Sequence, residues 1–349
     1  MSNFHPLTVK NILRETPNSV ALTFSIPSDL KETFSFIPGQ YITIKHVLDG
    51  QEVRRAYSIC STPNEETITV GIKKVEEGHF SVFANSTLKE GDTLEVMPPE
   101  GKFVLNPNAS NAKKYVAFAA GSGITPVLSI IKTALEVESN STFLLVYGNK
   151  SVEETMFYDE ISHLKDRYSE RFSVEYIFSQ KKVENALFGR ITKASTNYII
   201  KNKNQDHTFD VFYLCGPEAM IKEVKSTLGE NGVDASNIHF ELFTTSEEEN
   251  EITVSSGKSQ IKVIIDDEEY EFTMSKKKVI LDGALAEKID APFSCQGGIC
   301  STCIARIIEG KAEMAKNQIL TDAEIEEGLI LTCQAHPISA KVVVDYDDV

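Results

Sequence analysis

The chain has 349 residues, enough for two to three domains at about 150 residues each. Hydrophobic residues make up 41% and charged residues 25%, which is ordinary for a globular chain and excludes a disordered or fibrous one. With 35 Lys and Arg against 51 Asp and Glu, the formal charge of −16 argues against neutralising nucleic-acid phosphates or resting on an anionic membrane.

The N-terminal MSNFHPLTVK has no basic stretch followed by an apolar core, so no secretory signal is expected. The longest apolar run, YVAFAAGSGITPVLSII, is broken by Gly121, Ser122, Gly123 and Pro126 and does not read as a transmembrane helix. A cytoplasmic location is the expectation. From Leu7 to about Leu105, the runs VALTFSIP, YITIKHV, TITVGIKKV and DTLEVMPP alternate with the turn signals PGQ, LDG, PNEE and KEGD, the texture of a small antiparallel barrel. Within it, RRAYSIC (Arg54 to Cys60) places a cation, an aromatic ring and a hydroxyl on one extended segment, Arg55 and Tyr57 on one face, Ala56 and Ser58 on the other. Taken alone, it reads as a half-exposed strand with an ion-paired arginine.

From Lys113 to about Phe243 the texture changes. Strand-like KKYVAFAA, TFLLVYG, FSVEYIFS and DVFYLCG alternate with helical patterns such as PVLSIIKTALEVE and MFYDEISHLKDRY, predicting a parallel sheet with helices on its faces. After YVAFAA comes GSGITP, from Gly121 to Pro126, then a helix. A strand, a glycine turn and a helix in that order can cradle phosphate, with Thr125 as a cap and Pro126 in the first turn. As a bare pattern it fits an ordinary strand–helix turn equally well, because the third glycine of the dinucleotide fingerprint is missing. Cys215, Gly216 and Pro217 end a later strand, where ligands of open α/β sheets bind, so the two loops could share one site. An isolated cysteine such as Cys215 is otherwise a small buried apolar residue.

TTSEEENE then reads as an acidic linker. Between Glu251 and Val349 there are 18 acidic and 10 basic residues, and Glu247, Glu248 and Glu249 bring the segment from 247 onward to −11. The strand pair IKVIIDDEEYEFTM, helical VILDGALAEKI and the strand KVVVDY frame a cysteine loop. Cys295, Cys300, Cys303 and Cys333 give C-x4-C-x2-C-x29-C, the plant-type [2Fe–2S] spacing. Gly297 and Gly298 are expected to let the loop curl with positive φ and turn N–H groups towards sulfur. The alternative is a four-cysteine zinc site, which normally shows two short pairs, whereas only Cys300 and Cys303 form one here.

The flanks of that loop, DGALAEKIDAPFSCQGGICSTC and GLILTCQAHP, resemble a plant-type ferredoxin domain of β-grasp fold, with the four cysteines on all its ligand positions. GSGITP and CGPEAM, together with R-x-Y-S, resemble the ferredoxin–NADP reductase superfamily. That resemblance implies that Gly121, Gly123, Thr125 and Pro126 cradle a coenzyme pyrophosphate and that Cys215, Gly216 and Pro217 lie by the nicotinamide. It implies that Arg55 neutralises a flavin phosphate, Tyr57 packs on the isoalloxazine and Ser58 reaches its N5 region. The superfamily's Gly-Gly-x-x-Ser appears as EGHFS: Gly78 and Ser81 match, while Glu77 replaces the first glycine and His79 a small residue. Phe240, Glu241 and Phe243 are weaker candidates for a residue near the flavin. In its domain order, and in RRAYSICS, YGNKS, CQGGICSTC and LTCQAHP, nearly the whole chain resembles the reductase subunits of phenylacetyl-CoA epoxidase systems.

The implied organisation is multi-domain: an antiparallel β-barrel binding FAD (1–108), an α/β parallel-sheet NAD(P)-binding domain (109–244), an acidic linker (245–251) and an α+β, β-grasp [2Fe–2S] ferredoxin-type domain (252–349). The implied function is an oxidoreductase passing electrons from NAD(P)H through FAD and the cluster to an oxygenase component, with Tyr57, Ser58 and Cys215 at the reacting centre. NADPH is favoured because Asn149, Lys150 and Ser151 follow the second strand with no carboxylate before Glu153; Arg190 is a further cation. The alternatives are the reductase of a ring-hydroxylating dioxygenase or other monooxygenase using NADH and FMN, a quinone or metal-chelate reductase, and a zinc-containing binding module.

Overall fold

Alternating apolar and polar residues in the first hundred positions build six strands: β1 (His5–Thr16), β2 (Ser19–Ser25), β3 (Tyr41–Leu48), β4 (Gln51–Ser58), β5 (Thr67–Lys73) and β6 (Thr93–Val96), with helix α1 (His79–Ser86) before the last. The computed structural model describes residues 4–205, 208–243 and 256–349. The linker expected at 245–251 lies outside them. The strands order as β4-β3-β6-β1-β2-β5, and an antiparallel bridge between Ile59 and Val70 brings the end of β4 onto β5, closing the sheet into a barrel. Leu7, Leu22, Phe24, Ile42, Ile44 and Val70 fill it.

The second sheet comprises β7 (Lys114–Ala120), β8 (Thr142–Asn149), β9 (Phe172–Phe178), β10 (Leu187–Phe188), β11 (Val211–Cys215) and β12 (Ile238–Glu241), in the order β10-β9-β8-β7-β11-β12. All its pairings are parallel. Its inner strands are almost wholly apolar and buried, as sheets covered on both faces require. Helices α2 (Ile124–Val137), α3 (Tyr158–Arg167), α4 (Lys193–Asn197) and α5 (Glu218–Glu230) connect them. Strand order steps outward from β7 to β10 and then returns to β11, so the topological switch point falls between β7 and β11. The sequence expects ligands there.

Barrel and parallel sheet form one compact unit, covering 5–53 and 57–243. Cys60, Phe103 and Leu105 from the barrel segment join the core cluster of the parallel sheet. The other unit gathers residues 256–349 with Phe4 and Arg54–Ala56. Its five-stranded sheet runs Glu268–Ser275, Lys258–Ile265, Lys341–Asp345, Ile304–Glu309, Leu329–Leu331, the second and third being parallel, and the helix Ile280–Ala286 joins its core. This is the expected α+β arrangement. Among the described residues no helix is long and apolar enough to cross a membrane.

Candidate functional site

The two glycine-containing loops meet. Cys215 lies opposite Ala119 in the β7–β11 register, so GSGITP and CGP emerge side by side at the carboxyl ends of neighbouring strands. A Cβ at Gly123 would stand 2.1 Å from the Cys215 carbonyl oxygen and 2.8 Å from the Gly216 nitrogen, so only glycine allows this approach. Gly121 adopts φ +55°. The helix cap differs from expectation: Gly123 is the N-cap of α2 without a side-chain cap, and Thr125 instead donates from Oγ1 to the Ser122 carbonyl at 3.0 Å. Pro126 does lie in the first turn, where its missing N–H costs nothing. Pro217 is the N-cap of α5.

Ser58, at the end of β4, reaches this edge of the sheet. Its Oγ donates to Glu241 Oε2 at 3.0 Å, and Glu241 pairs with Cys215 in the β11–β12 register. Burial pushes the Glu241 carboxyl up to about 8, against the opposing effect of the Ser58 hydrogen bond. Burial, with the Glu241 charge adding to it, pushes the Cys215 thiol well up. Of the three weaker candidates near the end of this unit, Glu241 therefore joins Ser58 and Cys215. Phe240 instead lies under the Lys225 ammonium, 4.5 Å from the ring centre, and Phe243 packs on the core.

Tyr57 is half-buried, its ring 5.7 Å from that of Phe80 on α1. Arg55 is exposed and donates to the Arg54 carbonyl at 2.7 Å. Gly78 is the N-cap of α1. Ser81 is buried, and its Oγ accepts from the Val75 N–H at 3.1 Å and donates to the Gly78 carbonyl at 3.2 Å, so this hydroxyl holds the turn. A cavity of about 370 Å³ opens beside the start of α1, lined by Leu48, Asp49, Gly78, His79 and Phe83 among others. The helix N-terminus there favours the phosphate-bearing part of a dinucleotide flavin, while the acidic side chains of Asp49 and Glu77 in the same wall oppose it.

Lys73, at the end of β5, is not singled out by the sequence. Its Nζ lies 3.6 Å from where a Gly121 Cβ would stand, at the phosphate loop. Burial lowers its pKa, Glu154 opposes that, and Lys150 adds to it. The signal is there as the lysine ending TITVGIK, but nothing in the sequence separates it from a solvated strand-end charge. Lys150 is exposed just beyond β8, and its carbonyl accepts from the Gln180 N–H at 2.9 Å. Arg190 is exposed on the segment after β10.

In the other unit the four cysteines face each other in two pairs. A hydrogen bond from Cys300 draws the Cys295 thiol down to about 6, while Cys300 itself is raised. Cys303 stands to Cys333 in the same way: Cys333 is lowered and Cys303 raised. Each pair thus offers one thiol already inclined to ionise, the form that binds metal. The Gly297 N–H points at Cys295 Sγ, 3.3 Å away. Positive φ falls on Gly298 (+72°), as expected, and on Gln296 (+53°) in place of Gly297; a Cβ at Gly298 would also stand 3.0 Å from the Lys316 carbonyl oxygen. Thr332 donates through both N–H and Oγ1 to the Cys303 carbonyl (3.0 Å each), and Gln334 Nε2 donates to the Gln296 carbonyl (2.8 Å). These bonds tie the distant Cys333 to the loop. Among the described residues no three His, Cys, Asp or Glu side chains gather as a single-ion site. Two facing thiol pairs suit a cluster that takes two cysteines on each of two irons. The Ser294 hydroxyl beside them is buried without a hydrogen-bond partner among the described residues, as a missing acceptor group would leave it.

Three family models match in chain order: an oxidoreductase FAD-binding domain over residues 6–105, an oxidoreductase NAD-binding domain over 118–226 and a 2Fe-2S iron-sulfur cluster binding domain over 263–337. The chain is 38% identical to a component of the 1,2-phenylacetyl-CoA epoxidase of Escherichia coli (strain K12), over 99% of each chain. It belongs to that reductase family. It is also 30% identical to the ferredoxin reductase component of 3-ketosteroid-9-alpha-monooxygenase from Rhodococcus rhodochrous, covering 97% of this chain and 96% of the relative. The solved structure of phthalate dioxygenase reductase shares the fold, with a TM-score of 0.61 at 22% identity and 98% of each chain covered. Members of this reductase family carry FAD-binding, NAD-binding and 2Fe-2S domains and serve electron transfer in oxygenase systems, and the chain is an oxidoreductase of that kind.

Proposed function

We propose that the chain takes a hydride from NADPH onto FAD at the switch point between β7 and β11, and passes single electrons through a [2Fe–2S] cluster on Cys295, Cys300, Cys303 and Cys333. The acceptor is the oxygenase component of a phenylacetyl-CoA epoxidase type system in the cytoplasm. The observation that carries this reading is the convergence of Ser58, Cys215 and Glu241 beside the meeting of the two glycine loops. A flavin, when bound, accepts a pair of electrons and returns them singly.

The protein's part is positioning and proton handling. The start of α2 and the Gly121 loop present N–H groups and partial positive charge to a pyrophosphate, and Lys73 adds a cation there. Cys215 stays a neutral thiol at pH 7 and offers a small apolar surface to a nicotinamide ring. Glu241, neutral at the same pH, holds a proton within reach of the Ser58 hydroxyl, so the pair can relay a proton between solvent and the flavin edge. The start of α1 would offer its N–H groups to a flavin phosphate. Lys150 supplies a cation beyond β8, on the side of the adenosine ribose.

The coenzyme choice is tested by rapid-mixing reduction with NADPH and NADH. NADPH is expected to be the better substrate in kcat/KM, and Lys150→Ala to narrow the gap about fivefold, the scale of one exposed charged contact. An NADH preference in the unaltered protein overturns NADPH. Reduction of an epoxidase oxygenase component should slow with added salt while dye reduction does not; salt-independent transfer overturns protein docking.

A further inference from the structure

Helix α2 starts at the meeting point of the two glycine loops and runs alongside the barrel segment that leaves Ser58. Two of its side chains, three positions apart and so on one face, grip that segment. Ser129, fully buried, donates from Oγ to the Ser61 carbonyl at 2.7 Å. Lys132 donates from Nζ to the Cys60 carbonyl at 3.2 Å and forms ion pairs with Glu65 of the barrel at 3.2 Å and Glu160 of α3 at 2.9 Å. Its side chain is only 14% exposed. Burial pulls its pKa down, but Glu160 and Glu65 outweigh this, so the ammonium stays charged.

We infer that Ser129 and Lys132 are positioning residues for hydride transfer, clamping the coenzyme-binding helix to the flavin strand so that the two ring sites keep one separation. The lever arms are short. Ser61 lies three extended residues, about 10 Å, from Ser58, and Ser129 lies five helical residues, about 7.5 Å, from the start of α2. Apolar packing around Cys60, Val127 and Ile131 gives adhesion without direction, whereas hydrogen bonds to two successive carbonyls fix register. Glu65 and Glu160 come from the two halves of the unit and share one cation. Without it they would repel across the joint. The inference rests on the hydride-transfer reading above.

The test is rapid-mixing reduction of the holoprotein by NADPH in Lys132→Met, Lys132→Arg and Ser129→Ala, with KM, flavin content, cluster absorbance and thermal midpoint measured alongside. Lys132→Met should lower the limiting rate of flavin reduction tenfold to about a hundredfold, the scale of a small misplacement of reacting groups. KM and flavin content should barely change. Lys132→Arg should recover to within about threefold of the unaltered rate, because the guanidinium keeps the charge and the donors. An unchanged limiting rate in Lys132→Met overturns the clamp, as does a loss that merely follows lost flavin with Lys132→Arg no better. Should Lys132→Met not fold, unchanged limiting rates in both Ser129→Ala and Glu65→Gln overturn it equally. Failure of the unaltered protein to be reduced by either coenzyme would instead remove the functional reading beneath it.

Discussion

The hydride site and the cysteine loop are built on opposite plans. Ser58 and Glu241, hydrogen-bonded at one centre, are separated by 183 residues, and Lys73, Gly123 and Cys215 come from three further elements. Cys295, Cys300 and Cys303 instead sit in a single nine-residue loop, with Cys333 tied on by bonds from its neighbours Thr332 and Gln334. Hydride transfer needs two rings held face to face at a fixed distance, which takes a sheet's topology to arrange. A cluster needs thiolates at set separations and little else from the fold, and a tight loop supplies those. Damage should therefore be separable: the loop can be broken without harming the hydride site, and the hydride site can be weakened from several distant positions.

The largest expected effect is in the loop. Cys303→Ser should abolish the visible cluster spectrum and electron delivery to a protein acceptor, while dye reduction by NADPH is retained; loss of both would show that the plans are not separate. Next comes the opposite break. Gly123→Ala places a methyl 2.1 Å from a carbonyl oxygen, so the two loops must part. Flavin reduction should fall about a hundredfold or more, with iron and sulfide content unchanged. A rate within threefold of normal would mean that the loops do not need this approach.

Glu241→Gln sharpens the comparison, because it removes a titrating group and leaves the shape. In the folded protein this carboxyl is raised to about 8 by burial, so the native state holds the proton more tightly than the unfolded chain. Stability is then lost as pH rises from the ordinary carboxylate range through 8. The variant should be the more stable of the two at pH 9, and equal at pH 4. Its turnover should fall tenfold to about a hundredfold and lose the dependence on a group near pH 8. A pH profile that survives the substitution would assign that group elsewhere. The smallest effect belongs to Lys73→Gln: KM for the coenzyme should rise about tenfold, the scale of one charge-assisted hydrogen bond, with little change in kcat. An unchanged KM would exclude Lys73 from the phosphate site.

The same contrast decides what can be read from the residues alone. The cysteine spacing carries its chemistry in the sequence, and so does the alternation of strands and helices that builds β7 to β12. The hydride site does not. Glu241 is visible only as a weak candidate, because its partnership with Ser58 exists only once β12 lies beside β11. Lys73 is visible only as a charge at a strand end, since its role depends on a barrel strand ending at a loop of another sheet. Helix α1 is also hidden: GHFSVFANS mixes β-branched and aromatic residues, and packing of Phe80 and Ala84 into the barrel overrides weak helix propensity. The cap of α2 departs from expectation for a local reason, as Thr125 commits its hydroxyl to the Ser122 carbonyl of its own turn.

An anaerobic absorbance titration with NADPH tests the central claim most directly, because it observes both sites in one sample. The flavin band should bleach first, followed by partial bleaching of the cluster band. A reduced flavin beside an unchanged cluster would contradict that claim, by showing that the two sites are not joined in one path.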